Sequence, residues 1–140
     1  MRKRESLFLE KAVHDSYYVE AYVDFERRIL TLPENQEVIG PEAFMDNRSF
    51  RYAVLPDLLT EIGERAFAGC DDLWAVTIKS FDAAFGKDVF DRDNDHLLLL
   101  VYQGSTAEDY AIQNGLRYSY FSPEEGDEIP AYETEPPARR

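Results

Sequence analysis

Ile62-Gly63-Glu64-Arg65-Ala66-Phe67-Ala68-Gly69-Cys70-Asp71-Asp72-Leu73-Trp74-Ala75-Val76-Thr77-Ile78 has looser copies of itself on both sides, each displaced by 23 residues. The step relates Ile39-Gly40, Ile62-Gly63 and Phe85-Gly86, then Ala43-Phe44, Ala66-Phe67 and Val89-Phe90. It also aligns Asn47, Cys70 and Asp93, then Phe50, Leu73 and His96. Ala53, Val76 and Leu99 follow, then Leu55, Ile78 and Val101, and Leu30 and Leu32 fill these last two slots one step earlier. Agreement of so many positions on one period marks a repeat, and a repeat this short is read as one supersecondary unit of a stacked array.

The spacing within a unit dictates its shape. Val76-x-Ile78 alternates apolar and polar residues with period 2, which predicts a strand with its apolar side inward. A turn must follow, and the glycine after Ile39 or Ile62 is expected to relieve a special backbone angle. The Ala-Phe pair is expected on a short turn of helix, its ring entering the coil from the side opposite the strand. One unit cannot bury its own apolar face, so units must stack, strand beside strand at ~4.8 Å, around a continuous interior.

Composition sets the outer bounds. A chain of 140 residues, 44% hydrophobic and 31% charged, suits one folded domain and is too apolar to be wholly disordered. Its formal net charge of −13 argues against nucleic acid and anionic lipid as partners, since both require a cationic footprint. Leu97 to Val101 is far shorter than the ~20 apolar residues of a membrane span. Met1-Arg2-Lys3-Arg4 is basic, but Glu10 and Lys11 interrupt the apolar run that a secretory leader needs. The expected location is therefore cytoplasmic, or secreted or cell-surface if a leader has been removed. The single cysteine, Cys70, excludes an internal disulfide.

The segment from Ile62 to Ile78 closely resembles one unit of the BspA-like class of leucine-rich repeats. Ile39 to Leu55 is a looser copy, and the third unit departs most, with His96 in an apolar slot. Gly104-Ser105-Thr106-Ala107-Glu108-Asp109-Tyr110-Ala111 through Leu116 resembles the segment that often closes such arrays. The resemblance implies an α/β fold: a short right-handed solenoid with a parallel sheet on its concave side and short helical turns on its convex side. It also implies protein recognition, often at bacterial cell surfaces, without catalysis and without a cofactor.

Both ends of an array must be covered. Ser105 with Glu108 forms a capping-box pattern, Ala107, Tyr110 and Ala111 share a helical face, and Gly115 is the expected stop. At the other end, Tyr17 to Glu26 alternates as a half-buried strand, with a hairpin leading into Ile29–Leu32. Residues 5–14 are expected as a short helix on Leu7, Phe8 and Ala12. The domain reading is an N-terminal cap over 1–29, a solenoid with its C-terminal cap over 30–121, and an acidic proline-rich disordered tail over 122–140. That tail carries six acids and Pro123, Pro130, Pro136 and Pro137, too little apolar surface to offset its ordering entropy.

Strand positions between core residues point outward. In the 23-residue register they are Ile29, Tyr52, Ala75 and Leu98, then Thr31, Val54, Thr77 and Leu100, then Pro33, Pro56, Lys79 and Tyr102, with Arg28, Arg51, Trp74 and Leu97 alongside. Leu97 to Leu100 cannot all face inward on a period-2 strand. The candidate partner-binding residues are Arg51, Tyr52, Val54, Trp74, Thr77, Lys79, Leu98, Leu100 and Tyr102, aromatic, arginine and leucine anchors of the kind that dominate interfaces. The partner class is a protein or peptide; the alternative is a structural role in a homodimer. Asp91-Arg92-Asp93-Asn94-Asp95 opens like a calcium loop but has His96 where glycine is required and Tyr102 where glutamate is required. No zinc spacing, phosphate-cradling loop or nucleophile motif is present, so catalytic and metal residues are expected to be absent.

Overall fold

The computed structural model describes residues 6–13, 17–24, 26–91, 93 and 95–120, with side chains placed from Val23 onward. Ten strands and one helix follow in chain order: β1 (Ser6–Val13), β2 (Tyr17–Asp24), β3 (Ile29–Thr31), β4 (Val38–Ile39), β5 (Tyr52–Leu55), β6 (Glu61–Ile62), β7 (Ala75–Ile78), β8 (Ala84–Phe85), β9 (Leu98–Val101), α1 (Thr106–Asn114) and β10 (Arg117–Tyr120). They form a seven-stranded sheet in the order β1-β2-β3-β5-β7-β9-β10 and a three-stranded sheet in the order β4-β6-β8. The chain thus winds as a parallel-strand solenoid of about four turns, one strand of each sheet per turn in the first three.

The repeat period is the strand register. Ile29 pairs with Tyr52, Tyr52 with Ala75 and Ala75 with Leu98, while Ile39 pairs with Ile62 and Ile62 with Phe85. Inward positions Leu30, Ala53, Val76 and Leu99 are fully buried, as are Leu55, Ile78 and Val101. Opposite them, the rings of Phe44 and Phe67 stack with centroids 5.2 Å apart, and those of Phe67 and Phe90 with centroids 5.8 Å apart. Phe50 packs edge-on against both Phe44 and Phe67. The expected file of phenylalanines is present.

The far side of each coil differs from the helical turns expected there. Ala43 N–H donates to Gly40 O and Met45 N–H to Glu42 O, both local turn bonds. The intervening donors of Glu42, Phe44 and Asp46 reach instead to Glu64 O, Ala66 O and Ala68 O on the next coil. Arg65, Phe67 and Gly69 repeat the pattern onto Lys87, Val89 and Asp91. Such alternation needs left-handed residues, and Glu42 (φ 60°), Arg65 (φ 58°) and Asp88 (φ 57°) supply them in one slot. Helix cannot propagate through these residues, and the cross-coil bonds take its place.

The glycine of each unit also serves differently from the expectation. The left-handed glycines are Gly69, Gly104 and Gly115, and neither Gly63 nor Gly86 is among them. A Cβ on Gly63 would lie 2.5 Å from Pro41 N and 2.7 Å from Gly40 C; on Gly86 it would lie 2.6 Å from Glu64 N. Here glycine allows one coil to approach the next, and the constraint is contact rather than dihedral angle.

At the N-terminal end, residues 5–14 do not form the expected short helix. Ser6–Val13 is strand β1, paired antiparallel with β2 along its whole length, Ser6 opposite Asp24 and Val13 opposite Tyr17. A ten-residue helix is marginal alone, whereas a neighbouring strand satisfies the backbone of every residue it pairs with. β2 enters the solenoid through the expected hairpin to β3. Asp24 Oδ1 accepts from Glu26 N and Arg27 N, and Arg28 turns the corner at φ 56°.

At the C-terminal end, Ser105 Oγ accepts from Glu108 N (3.2 Å), and Gly115 stops α1 at φ 68°. The Glu108 carboxylate reaches back one residue past the N-cap and accepts from Gly104 N (2.7 Å), while Ser105 N donates to Tyr102 O. Ala107 and Ala111 are fully buried against the last coil, and Tyr110 stacks on Phe85 at 4.6 Å while its hydroxyl accepts from Val89 N. Strand β10, which the periodicity did not place, pairs Arg117 with Leu98, a step of 19 instead of 23. Helix α1 cuts across the open end of the core, so the return path is shorter. Among the described residues, no helix is long and apolar enough to cross a membrane. The acidic tail read over 122–140 lies outside the described residues.

Candidate functional site

The seven-stranded sheet turns one side to the core and the other outward, and the outward side carries most of the residues singled out by the repeat. Leu97 and Leu99 point into the core, while Leu98 and Leu100 are half-buried on the outer face. Val54 on β5, separated from Leu100 by Thr77 of β7, is also half-buried. Lys79 and Tyr102 are half-buried where β7 and β9 end, and Lys79 N–H donates to Leu55 O.

Arg51 and Trp74 sit just before β5 and β7, at the mouth of the strands rather than on the flat of the sheet. The Arg51 guanidinium lies 4.3 Å from the centre of the Trp74 ring. On its other side Trp74 meets His96 edge-on at 6.5 Å. One coil earlier Arg28 occupies the same row, its guanidinium donating to Asp72 Oδ2 (2.9 Å) and Arg48 O (2.7 Å). The coil period thus lays Arg28, Arg51, Trp74 and Leu97 in a line, and backbone bonds from Arg51 N to Arg28 O and from Trp74 N to Arg51 O hold that line in register. Arg28 was not among the candidate residues, although its place in the row marked it.

Two candidates stand differently from their expected role. Tyr52 is 0% exposed and Thr77 1% exposed, and Ala75 between them is 1% exposed. The pleat places all three on the outer face, opposite in parity to Ala53 and Val76. Neither Tyr52 nor Ala75 belongs to the packed core cluster that contains Ala53, Val76 and Leu55. This face is therefore closed to solvent at Tyr52, Ala75 and Thr77 and partly open at Val54, Leu98 and Leu100.

The slot shared by Asn47, Cys70 and Asp93 is structural. Asn47 Oδ1 accepts from Ser49 N (2.8 Å), Asp93 Oδ1 accepts from Cys70 N (2.8 Å), and the Cys70 thiol donates to Phe44 O (3.2 Å). Burial, with the nearby Asp93 charge second, pushes the Cys70 thiol up to about 12, which suppresses the thiolate that a nucleophile requires. Of the calcium-like run, Arg92 and Asn94 lie outside the described residues. Among the described residues, no three His, Cys, Asp or Glu side chains are grouped to hold a metal. A groove of about 350 Å³ lies between the third coil and α1, lined by Asp88, Asp91, Asp95, Tyr110 and Arg117 among others. Leu97, the last residue of the row that holds Arg51 and Trp74, also lines it.

The family model described as BspA type leucine rich repeat region (6 copies) matches residues 19–121. No curated protein and no solved structure gives a significant match. The match spans well over half of the chain and covers the coils whose register defines the fold. The chain belongs to the BspA-type leucine-rich repeat family.

Proposed function

We propose that this chain is a non-catalytic module that binds a protein or peptide through the outer face of its seven-stranded sheet and the arginine–aromatic row at the mouth of the strands. The observation that supports this most is the Arg51–Trp74–His96 ladder beside the half-buried Leu98 and Leu100. It combines the residue types that contribute most to protein interfaces with an adjoining apolar strip. Leucine-rich repeats typically serve as protein-binding surfaces and are generally not enzymes. Five parallel strands at ~4.8 Å give a face of roughly 20 Å, which fits a peptide or one edge of a larger protein better than a full globular interface. A net charge of −13 favours a basic partner and disfavours nucleic acid or anionic lipid.

The test compares the chain with a Trp74→Glu, Leu98→Glu variant, each immobilised against lysate of the native cell. Species retained by the parent are expected to be lost by at least tenfold from the variant, with unchanged circular dichroism. Equal retention would move the binding surface elsewhere.

One observation favours a second reading, self-association. All four residues of β10 are exposed at the sheet edge, and an unpaired edge is a template for another strand. Light scattering across a concentration series would then show the mass doubling.

A further inference from the structure

The row at the mouth of the strands changes charge along its length. Arg28 and Arg51 open it, and Leu97, which closes it, lines the groove of about 350 Å³ between the third coil and α1. Asp88, Asp91, Asp93 and Asp95 line the same groove, against Arg117 as the one base among its described walls. Arg92 is the only base in the segment 88–95, so four carboxylates outnumber these two guanidinium groups wherever its side chain lies. Arg65 approaches Asp88 from outside (3.9 Å) but sits closer to Glu64 (3.1 Å). Asp91 and Asp95 are exposed, whereas Phe90 and Leu97 are buried, so an apolar lining carries a carboxylate rim. The walls are already held in place. Tyr110 stacks on Phe85 and accepts from Val89 N, Asp93 Oδ1 accepts from Cys70 N, and Arg117 donates to His96 O (2.8 Å). A recess fixed in this way needs little reorganisation to admit a ligand.

We propose that this groove receives an arginine side chain of the protein or peptide partner, its stem against the apolar lining and its guanidinium among the aspartates. The chemistry is complementary at both ends of the side chain. A long aliphatic stem covers apolar surface while its charged head stays at the polar rim. Asp88, Asp91 and Asp95 come from separate points along one segment, and a planar fork of five donors can serve more than one of them, as a compact ammonium cannot. The proposal rests on the reading of the chain as a protein-binding module and extends it. A net charge of −13 favours a basic partner, yet the charged members of the row itself are arginines. The groove resolves this: the row meets apolar and aromatic groups of the partner, and the recess at its end takes the cation. A segment lying along the row is thereby fixed in direction, its arginine beyond Leu97.

The test titrates the isotopically labelled full chain with acetyl-Gly-Arg-Gly-amide, and with the same peptide carrying citrulline, which keeps the shape of arginine and loses its charge. Amide shifts are followed by NMR. Saturable shifts centred on Tyr110, Asn114, Gly115 and Leu116 are expected with the arginine peptide, and binding about tenfold weaker with the citrulline peptide. An Asp91→Asn, Asp95→Asn variant alters two exposed side chains and leaves Asp93 on Cys70; it is expected to bind the arginine peptide about tenfold more weakly than the parent. No saturable shift, shifts spread over acids of the other coils, equal affinity for the two peptides, or full binding by the variant would overturn the proposal. Should the variant's spectrum show a disturbed fold, the two peptides on the parent chain decide alone. Failure here is separate from failure of the binding reading, which the Trp74→Glu, Leu98→Glu comparison decides.

Discussion

Gly63 and Gly115 show two different reasons for a glycine, and they separate experimentally. Gly63→Ala drives a methyl into the backbone of Pro41 and Gly40, and only separation of the coils relieves it. A loss of about 1–3 kcal/mol in unfolding free energy by urea titration is expected, as for overpacked cores. Gly115→Ala meets open space but must hold φ 68°, and it is expected to cost about 1 kcal/mol. A Gly63→Ala variant as stable as the parent would contradict the stacked contact. Cys70 carries a prediction of its own. Its folded thiol is pushed up to about 12 from an ordinary 9.0, so above pH 9 the unfolded chain releases a proton that the folded chain keeps. The unfolded state is thereby favoured as pH rises, and Cys70 contributes a stability that is intact below pH 9 and fades above it. Relative to Cys70→Ala, the parent is expected to lose about 1.4 kcal/mol between pH 8 and pH 10. Urea titrations at the two pH values check the sign.

Among the elements, the phenylalanine file and helix α1 carry the two ends of one argument. Phe67 has Phe44 and Phe90 on either side and Phe50 at its edge, whereas Phe90 is 5% exposed and has Tyr110 beyond it. Phe67→Ala is expected to cost about 3–5 kcal/mol and Phe90→Ala less, read as shifts in the urea midpoint at constant m-value. These elements also show what the sequence could convey. Register, stacked rings and the Ser105–Gly115 helix follow from spacing, because each is a relation between residue types at fixed distances along the chain. Strand β4, strand β6 and strand β8 were not legible, since two residues are too short for period 2 to show. The helical turns were misread because Glu42, Arg65 and Asp88 hold left-handed angles that nothing in their side chains announces. Strand β10 was missed because a lid crossing the core end breaks the period. Strand β1 was misread because eight residues with mixed periodicity take their conformation from the partner strand. At the candidate site, the row of Arg51 and Trp74 was readable from the period. The burial of Tyr52 and Thr77 was not, because period 2 assigns them to the outer face without saying how open that face is.

At the scale of the molecule, the sheet pairs each coil with its neighbours, and the last one is closed by contacts unlike the rest. Tyr120 Oη donates to Glu108 Oε2 at 2.5 Å, tying β10 to α1. That bond lowers the Glu108 carboxyl and raises the Tyr120 hydroxyl to about 12, so the link persists through the neutral and mildly alkaline range. The constant register between β3, β5, β7 and β9 has a practical corollary. Copying residues 56–78 in tandem would join Ile78 to Pro56 where Leu55 normally stands, leaving both splice points chemically familiar. The enlarged chain ought to melt at a temperature no lower than the original, measured by calorimetry, since a nearest-neighbour array gains one more interface without losing either end. Length, in this architecture, is an adjustable quantity: evolution or an engineer alters it by whole increments, and the terminal lids need never be redrawn.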